Sequence, residues 1–407
     1  MTSPVTTPVA ILLAELVDDA ADACFEAAGF SSGRLPTAPG PQELIRELQG
    51  VRILGIRSRT QITEEILANA PDLEAIGCFC IGTNQVDIDA AARHGIAVFN
   101  APFSNTRSVA ELTIAEIIAL HRRLFERSSQ MHAGSWVKTA SSSHEVRGRV
   151  LGIVGYGHIG SQVSILAEAM GMRVIYFDVA SKLPLGNAEP VSSLTDLLHR
   201  ADVVTIHVPD TPRTRGMIGH HELASMKPGA FLINNARGHV VDLDSLGDSI
   251  ERSHIGGAAV DVYPSEPSSG RGAFECVLAG LPNVILTPHI GGSTREAQRQ
   301  IAVEVAEKLT RFLQTGTTTS AVNVPEVDLP QQREGCVRAL HFHRNVPGVL
   351  SNMNGVLAEL KVNINAEYLQ TRADLSYVIL DVAPTDANEL RRRLGEIPET
   401  IRVRTIE

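Results

Sequence analysis

The sequence predicts an α/β protein with two parallel sheets flanked by helices and a smaller C-terminal domain. Three observations carry this prediction. Short apolar runs alternate with helix-compatible segments along residues 9–290, which is the βαβα order of parallel sheets. A glycine-rich turn follows the apolar run 150–154. Residues 337–406 read strand, helix, strand, strand, helix, strand, which is the order of the ferredoxin-like unit.

Length and composition describe an ordinary globular protein of two or three domains. The 407 residues are 43% hydrophobic and 20% charged, as in chains with cores of normal size. The net charge of −10, without lysine or arginine runs, argues against a nucleic-acid partner. No apolar run reaches membrane-spanning length, and the start lacks a basic signal segment, so we expect a cytoplasmic protein away from membranes. The five scattered cysteines indicate neither disulfides nor a metal site.

The first domain is predicted to be a discontinuous, flavodoxin-like domain. Its predicted strands lie at 9–13, 51–57, 73–80 and 97–100, with helices between them. A long helix at 108–123 leads into the next domain, and another at 294–313 returns the chain. Because the second helix has little to bury against by itself, we expect it to pack on the first domain. The first domain therefore comprises 1–105 and 294–330, the last part of which we interpret as a linker.

The inserted domain, at 106–293, contains the motif Gly155-x-Gly157-x-x-Gly160 between an apolar strand and a helix. This strand–turn–helix–strand order is that of a dinucleotide-binding unit. Gly155 permits the tight turn, Gly157 lets the backbone approach a pyrophosphate, and Gly160 lets the helix pack close to the strand. The pyrophosphate is expected at the positive end of the helix dipole. These features predict a Rossmann-type cofactor domain.

An acidic residue selects the cofactor. The predicted strand 173–177 ends at Asp178, whose carboxylate accepts hydrogen bonds from ribose hydroxyls and repels a 2′-phosphate. We therefore expect NAD rather than NADP. Further cofactor contacts are expected at the start of the helix and at later strand ends, from His158, Ile159, His207, Pro209, Ala236, Asp261, Gly291 and Gly292.

Three polar residues of different chemistry follow later strands of this domain. They are Arg237, Glu266 and His289, and open α/β sheets bind ligands at the strand ends. Oxidation of a secondary alcohol beside a carboxylate needs a base, for which histidine is suited near neutral pH. It also needs a cation on the substrate carboxylate and an anion that orients the histidine. The set predicts a base at His289, its partner at Glu266 and an anchor at Arg237.

The same stretches resemble the signatures of D-specific 2-hydroxyacid dehydrogenases. The resemblance rests on the glycine turn and on Asn235-Ala-Arg-Gly, Asp261-Val-Tyr-Pro-x-Glu-Pro and Thr287-Pro-His-Ile-Gly-Gly. It covers the chain from about residue 9 to 325. It implies NAD-dependent oxidation of a D-2-hydroxy acid, with the histidine as acid–base, the glutamate as its partner and the arginine as carboxylate anchor.

The substrate is expected to carry a phosphate. Two arginines stand beside hydroxyls in Arg57-Ser58-Arg59-Thr60, which suits a phosphate group; a solvated loop with an ion pair is the alternative. The stretch 76–111 resembles members of that family that oxidise 3-phospho-D-glycerate to 3-phosphohydroxypyruvate, the first step of L-serine biosynthesis. That resemblance implies a substrate pocket lined by Arg57, Ser58, Arg59 and Asn105, with Lys138 added by a neighbouring subunit of a homo-oligomer.

The C-terminal unit, at 335–407, resembles an ACT domain, a small-molecule sensor on enzymes of amino-acid biosynthesis. His343 and Asn345 lie at a strand-to-helix turn, where amide donors and the helix dipole favour a carboxylate, and Asn363 lies on the next strand. The resemblance implies that these residues bind L-serine between two ACT domains of a homo-oligomer, which we expect to be a tetramer. The alternative is a dimerisation module without a ligand.

Two other functions remain open. The same chemistry could act on an unphosphorylated acid such as glycerate or 2-hydroxyglutarate, and the arginine pair argues against it. A non-catalytic NAD(H) sensor that recruits protein partners belongs to another class. The complete set of arginine, glutamate and histidine argues against that function.

Overall fold

A computed structural model of the protein describes residues 10–267, 272–328, 332 and 334–407. The chain forms two compact units. The first contains the residues up to Ser104 together with Gln298–Glu407, and the second is Asn105–Ala297. The predicted start of the first domain at 1–9 and linker residues 329–331 lie outside the described residues. Within the described part, none of the helices has the length and apolarity required to cross a membrane.

The first unit begins with a five-stranded parallel sheet. Its strands are β1 Ile11–Ala14, β2 Ser32–Leu35, β3 Ile53–Ile56, β4 Ala75–Cys78 and β5 Ala97–Asn100. Its helices are α1 Ala20–Ala27, α2 Pro41–Glu47, α3 Glu64–Ala68 and α4 Ile88–Arg93. The strand order β2-β1-β3-β4-β5 is the flavodoxin-like order. Strand β2 was not predicted, because Ser-Gly-Arg-Leu has neither an apolar run nor alternation.

The second unit contains a seven-stranded parallel sheet. Its strands are β6 Val150–Val154, β7 Arg173–Phe177, β8 Glu189–Pro190, β9 Val203–Ile206, β10 Ala230–Asn234, β11 Ile255–Val260 and β12 Val284–Leu286. Its helices are α5 Thr106–Arg122, α6 Leu124–His132, α7 His158–Ala169, α8 Leu194–Arg200, α9 His220–Ser225 and α10 Leu243–Glu251, with a 3₁₀ turn at Gly238–Val240. The strand order is β12-β11-β10-β9-β6-β7-β8. It reverses beside β6, and such a switch point opens a crevice for ligands.

Helix α11, Arg295–Thr315, packs on the first sheet. Its residues Val305 and Leu309 share a buried core with Phe99. A Cβ atom added at Gly77 on β4 would lie only 2.6 Å from Leu309 Cδ1 and 2.7 Å from Val305 Cγ1. The helix and strand are therefore in direct contact. This agrees with the expectation that a single helix with no partner of its own packs on the first domain.

Residues 316–328, the described part of the segment after α11, contain no helix or strand, as expected of a linker, but they are not detached. Thr318 and Val324 are fully buried. The Asn323 side chain accepts from Val98 N and donates to Ile96 O, both at 2.8 Å. This side chain supplies the hydrogen bonds that a neighbouring strand would give to the edge of β5.

The C-terminal domain consists of β13 Val337–Arg344, α12 Val349–Glu359, β14 Ile364–Arg372, β15 Leu375–Val382, α13 Ala387–Gly395 and β16 Thr400–Ile406. Its antiparallel sheet has the order β14-β15-β13-β16, which is ferredoxin-like. The two helices cover one face, with Met353 and Leu390 in their core. Phe342 and Tyr377 on the other face join the core around Phe312 of α11.

A buried ion pair crosses this sheet. Arg338 is fully buried and donates to both oxygens of Asp381, at 2.6 and 2.7 Å. It also donates to Thr315 O at the end of α11, at 3.1 Å. Loss of either partner leaves a buried charge without its counterion, which is far more costly than loss of an exposed pair.

We predict that Asp381→Ala destabilises the C-terminal domain by about 3–5 kcal/mol. Hydrogen exchange of the β13 and β15 amides measures this loss as faster exchange. Glu396→Ala is the matched control, because it removes one partner of an exposed pair with Arg392 in the same domain and should cost less than about 1 kcal/mol. Equal effects of the two substitutions would contradict the prediction.

Candidate active site

The glycine turn between β6 and α7 is shaped by close backbone contacts. Gly155 has φ +93°, and a Cβ atom there would lie 2.5 Å from His207 O. A Cβ atom at Gly160 would lie 2.2 Å from Gly155 O, so only glycine lets α7 pack this closely. At Gly157, no atom lies within 4 Å of the Cβ position. The turn therefore leaves open space at the N-terminus of α7, where a pyrophosphate would need it.

Asp178 follows β7 and faces the backbone of this turn. Its Oδ2 accepts from Tyr156 N and its Oδ1 from Ala180 N, both at 2.8 Å. Each carboxylate oxygen accepts more than one hydrogen bond, so the group retains capacity for the ribose hydroxyls of a dinucleotide. The position fits the predicted role in selecting NAD.

Several buried polar atoms of the second unit lack a hydrogen-bond partner within the described part of the chain. They are His207 Nδ1, Asn235 Oδ1, Glu116 Oε1 and Asn105 Oδ1. Burial of the ring lowers the pKa of His207 to about 3, so this ring is neutral, and its Nε2 lies 3.0 Å from Thr205 Oγ1. Buried polar atoms normally have partners. The atoms on His207 and Asn235, which follow β9 and β10, therefore fit a polar ligand at the strand ends.

The predicted base and its partner are in direct contact. His289 Nδ1 lies 2.8 Å from Glu266 Oε2, and the histidine side chain is 52% exposed. The other oxygen of Glu266 accepts from Tyr263 N at 3.0 Å. A carboxylate at Nδ1 keeps the proton on that nitrogen and leaves Nε2 as the acceptor. This arrangement can take a proton from a substrate hydroxyl and stabilise the resulting imidazolium.

Asp261 holds the loop that carries this histidine. Its carboxylate accepts from Thr287 Oγ1 at 2.6 Å, Ile290 N at 2.8 Å and Gly291 N at 2.7 Å. His289 itself has φ +53°, in the left-handed region that costs free energy for residues other than glycine. The sequence predicted Asp261 as a cofactor contact; the structure uses its carboxylate to fix the loop.

Tyr263 is a site residue that the sequence reasoning missed. Its hydroxyl lies 2.9 Å from Val260 O and 3.0 Å from Thr287 O. Burial is the main cause of a raised pKa for this hydroxyl. A Cβ atom at Gly238, the residue after Arg237, would lie 2.0 Å from the Tyr263 carbonyl carbon. The turn at Arg237 thus packs against the residue whose amide binds Glu266. The Asp-Val-Tyr-Pro motif contained this tyrosine, but its spacing gave no sign of its contacts.

Arg237 lies at the end of β10 and is partly exposed. Its Nη1 donates to Ala236 O at 2.6 Å, and its own carbonyl accepts from Asn234 Nδ2 at 3.1 Å. The turn is therefore fixed by its own backbone and by Asn234. Its guanidinium has further donors available to an anion.

The predicted substrate residues are distributed over both units. Arg57, Ser58 and Arg59 follow β3 in the first unit, whereas Asn105 and Lys138 belong to the second. Arg57 donates to Leu16 O at 3.1 Å and Gln298 Oε1 at 2.7 Å. Asn105 is buried, and its Nδ2 would lie 2.6 Å from a Cβ atom at Gly292. Lys138 is exposed.

The residues predicted to bind L-serine do not come together within one chain. His343 is opposite Ser376 in the β13–β15 register, and Ile364, which follows Asn363, is opposite Val382. These positions are six residues apart along β15, which is roughly 20 Å at ~3.3 Å per residue. His343 Nε2 is buried and lacks a partner among the described atoms. One chain thus offers two separated parts of the predicted site.

Glu116 on α5 is a buried acid beside Asn235, close to the turn that carries Arg237. It is 3% exposed, and its Oε2 accepts from Asn235 Nδ2 at 2.7 Å. Burial raises the pKa of Glu116 to about 8. The hydrogen bond from Asn235 lowers this pKa, and the nearby charge of Asp261 raises it. The group is therefore largely protonated near neutral pH. It supports Asn235 two residues before Arg237.

Comparisons with known proteins agree with this geometry. Residues 114–291 match the NAD binding domain of the family described as D-isomer specific 2-hydroxyacid dehydrogenase, and residues 340–402 match an AHAS small subunit-like ACT domain. These matches confirm the predicted fold class, the ACT domain and NAD as the cofactor.

Relatives match over almost the whole chain. The D-3-phosphoglycerate dehydrogenase of Escherichia coli K12 is 49% identical over 401 residues, 98% of this chain and 97% of its own. The enzyme of that name from Dictyostelium discoideum is 46% identical over 398 residues, with the same coverage of 98% and 97%. The one from Haemophilus influenzae is 51% identical over 364 residues, covering 89% and 88%.

Solved structures match about three quarters of the chain. D-lactate dehydrogenase from Aquifex aeolicus, complexed with NAD and lactic acid, is 28% identical with a TM-score of 0.63, covering 74% of this chain and 95% of that one. A D-lactate dehydrogenase from Sporolactobacillus is 29% identical with a TM-score of 0.67, covering 77% and 98%.

The raised pKa of Glu116 predicts a pH-dependent stability. A folded-state pKa of about 8 lies above the ordinary value, so the contribution of this acid is complete below about pH 4.5 and is lost as pH rises towards 8. Between these values the unfolding free energy of the wild type should fall relative to Glu116→Gln, with a limiting slope of about 1.4 kcal/mol per pH unit. Denaturant unfolding of both proteins from pH 5 to 8 measures it.

The matched control for this prediction is Glu111→Gln, on the same helix and 60% exposed. The difference in unfolding free energy between Glu111→Gln and the wild type should not change over this pH range. If the difference in unfolding free energy between Glu116→Gln and the wild type is also independent of pH, Glu116 is already ionised at low pH in the folded protein.

Proposed function

Because the chain belongs to the D-isomer specific 2-hydroxyacid dehydrogenase family, we propose that it is an NAD-dependent D-3-phosphoglycerate dehydrogenase. It would oxidise 3-phospho-D-glycerate to 3-phosphohydroxypyruvate in the first step of L-serine biosynthesis. The observation that carries this proposal is the 2.8 Å contact of His289 with Glu266 in the domain that carries the glycine turn. The relatives of the same name, 46–51% identical, support this substrate.

His289 acts as the base in this proposal. Its Nε2 takes the proton of the C2 hydroxyl, and its Nδ1–H stays bonded to Glu266, which stabilises the imidazolium. When bound, NAD accepts the hydride that leaves C2. In the reverse direction the imidazolium returns its proton to the carbonyl oxygen. Tyr263 and Asp261 contribute by holding the two loops in place.

Arg237 anchors the substrate carboxylate in bidentate fashion, since a guanidinium matches the geometry of a carboxylate. Arg57 and Arg59 bind the phosphate, with Ser58 and Asn105 as further hydrogen-bonding groups. Lys138 would contribute a cation from a neighbouring subunit. An unphosphorylated substrate would leave Arg57 without an anion, so we favour the phosphorylated acid.

The cofactor would be held by the glycine turn and the strand ends around it. Gly157, His158, Ile159 and Gly160 would hold the pyrophosphate, and Asp178 would hold the adenosine ribose. The predicted positions at Gly155, His207, Pro209, Ala236, Asp261, Gly291 and Gly292 line the remaining length or shape the loops that do so. The open space at Gly157 supports this placement.

The three domains divide the work in this proposal. Residues 1–105 and 294–330 bind the substrate, 106–293 bind NAD, and 335–407 bind L-serine as an effector. The ACT match and the separation of His343 and Asn345 from Asn363 along one sheet support an effector site formed by two chains. Such a site requires a homo-oligomer, for which we propose a tetramer in the cytoplasm.

Exposed apolar residues support oligomerisation. Helix α6 has no buried residue, and Leu124 and Phe125 on it are 55% and 57% exposed. Trp136 beyond it is 78% exposed. Large apolar side chains clustered on a surface mark interfaces.

The proposed chemistry is tested with His289→Gln. Loss of the base should lower kcat for 3-phosphohydroxypyruvate reduction by about 10²–10⁴, with NADH affinity unchanged, as followed by NADH absorbance and fluorescence. His220→Gln, an exposed histidine of the same unit, is the control and should retain full activity. A wild-type protein that binds NADH but does not turn over this substrate would instead support the non-catalytic NAD(H) sensor.

The proposed regulation is tested with Asn363→Ala. L-serine should inhibit the wild type, and the substitution should raise the serine concentration for half-inhibition by about tenfold or more, because one hydrogen-bonding side chain of the effector site is lost. Activity without serine should be unchanged. A wild type insensitive to serine would identify the ACT domain as a dimerisation module without a ligand.

A further inference from the structure

Glu15 is a buried carboxylate for which the proposed mechanism has no role. It is the residue directly after β1, it is 3% exposed, and its φ is +64°. A glutamate in the left-handed region is strained, and such conformations persist only where surrounding contacts impose them. The contacts of its side chain supply the reason.

Within the part of the chain that the structure describes, the hydrogen bonds of the Glu15 carboxylate come from residues 57–60. Its Oε1 accepts from Arg57 N at 3.1 Å, Arg59 N at 3.3 Å and Thr60 N at 3.0 Å, and from Thr60 Oγ1 at 2.9 Å. Its Oε2 accepts from Arg59 Nε at 3.3 Å. Three backbone amides directed at one oxygen form the kind of concave donor group that binds anions in proteins. Here the anion is an internal carboxylate.

The two arginines of this segment are therefore not equivalent. Arg59 forms an ion pair with Glu15, so its charge is balanced within the chain and its position is fixed. Arg57 donates to Leu16 O and Gln298 Oε1, which are neutral acceptors, and keeps its positive charge for a ligand. The segment is held at its backbone, and among the described residues no carboxylate pairs with Arg57.

We propose that Glu15 is the positioning residue of the phosphate-binding loop: its carboxylate holds the backbone of residues 57–60 so that Arg57 and Ser58 are preorganised for the phosphate of the substrate. The inference rests on the proposed phosphorylated substrate. Preorganisation raises affinity because the loop does not have to be ordered when the ligand binds. The competing explanation is a carboxylate that only stabilises the fold.

Two substitutions separate these explanations. In Glu15→Gln the side-chain oxygen can still accept from the amides, but the new NH₂ group faces the Arg59 donor. In Glu15→Ala all five bonds are lost. We expect KM for 3-phosphohydroxypyruvate to rise by about tenfold in the first variant and by more in the second. The affinity for NADH, measured by fluorescence, should be unchanged.

Chemical rescue provides a second readout. A formate ion can enter the space left by Glu15→Ala and accept from the same donors, so added formate should lower KM again in this variant and not in the wild type. A merely stabilising role predicts no such recovery of KM. A rise in melting temperature with formate, while KM stays high, would overturn the proposal.

Glu74→Gln is the matched control. Glu74 is a carboxylate of low exposure that pairs with Arg52 at 2.9 Å and Arg404 at 2.7 Å. It precedes β4, at the opposite end of the sheet from residues 57–60. This variant should lose stability without a change in KM.

Hydrogen exchange reports on the loop independently of activity. The amides of Arg57, Arg59 and Thr60 should exchange faster in both Glu15 variants and at the wild-type rate in Glu74→Gln. Unchanged exchange and unchanged KM in the Glu15 variants would overturn the inference. A wild type inactive on 3-phosphohydroxypyruvate would contradict the proposed function instead, and amide exchange would still decide whether Glu15 holds the loop.

Discussion

The carboxylate of Asp261 is the point on which the candidate active site depends. It binds a side-chain hydroxyl and two backbone amides of the loop that carries His289, and this loop includes a residue in the left-handed region. Because the His289 side chain is 52% exposed, its contact with Glu266 depends on the position of the loop that carries it. Tyr263 fixes the Glu266 side in the same way, through its amide and its hydroxyl. The geometry of the His289–Glu266 pair is therefore set by Asp261 and Tyr263, which hold the two loops.

The same solution recurs elsewhere in the chain. Glu15 holds residues 57–60, and Asp381 holds Arg338. Each is a buried acid that follows or faces a strand or helix and accepts from donors of another segment. Buried acids are costly unless their hydrogen bonds are satisfied, so each fixes one relative position of two segments more firmly than apolar contact does. Loops that bind ligands need this firmness because loops have few apolar contacts of their own.

Much of the fold and part of the site could be predicted from the sequence. Alternating apolar runs predicted most strands of both parallel sheets and all six elements of the ACT domain. Strands β2 and β8 and helices α6, α8, α9 and α10 were not predicted. Ser-Gly-Arg-Leu has no apolar run, β8 has only two residues, and each of these helices has nine residues or fewer. The pairing of His289 with Glu266 followed from chemistry and strand ends. Glu15 and Glu116 could not be found, because their partners lie 42 or more residues away along the chain and a single acid has no motif. The bonds of Tyr263 to Glu266 and Val260 are local, but nothing in its motif indicates them.

Because of how its sheet packs, the ACT domain is poorly suited to excision or transfer to another protein. Phe342 and Tyr377 share the core of the first unit with Phe312, and Tyr377 Oη donates to Gly316 O at 2.7 Å. Its boundary in the sequence, near residue 335, is therefore not a boundary in the core. Excision at that point would uncover the aromatic face around Phe312, and transplantation elsewhere would carry an apolar sheet face with nothing to cover it. Gain or loss of such a domain during evolution requires the host surface to change polarity at the same time.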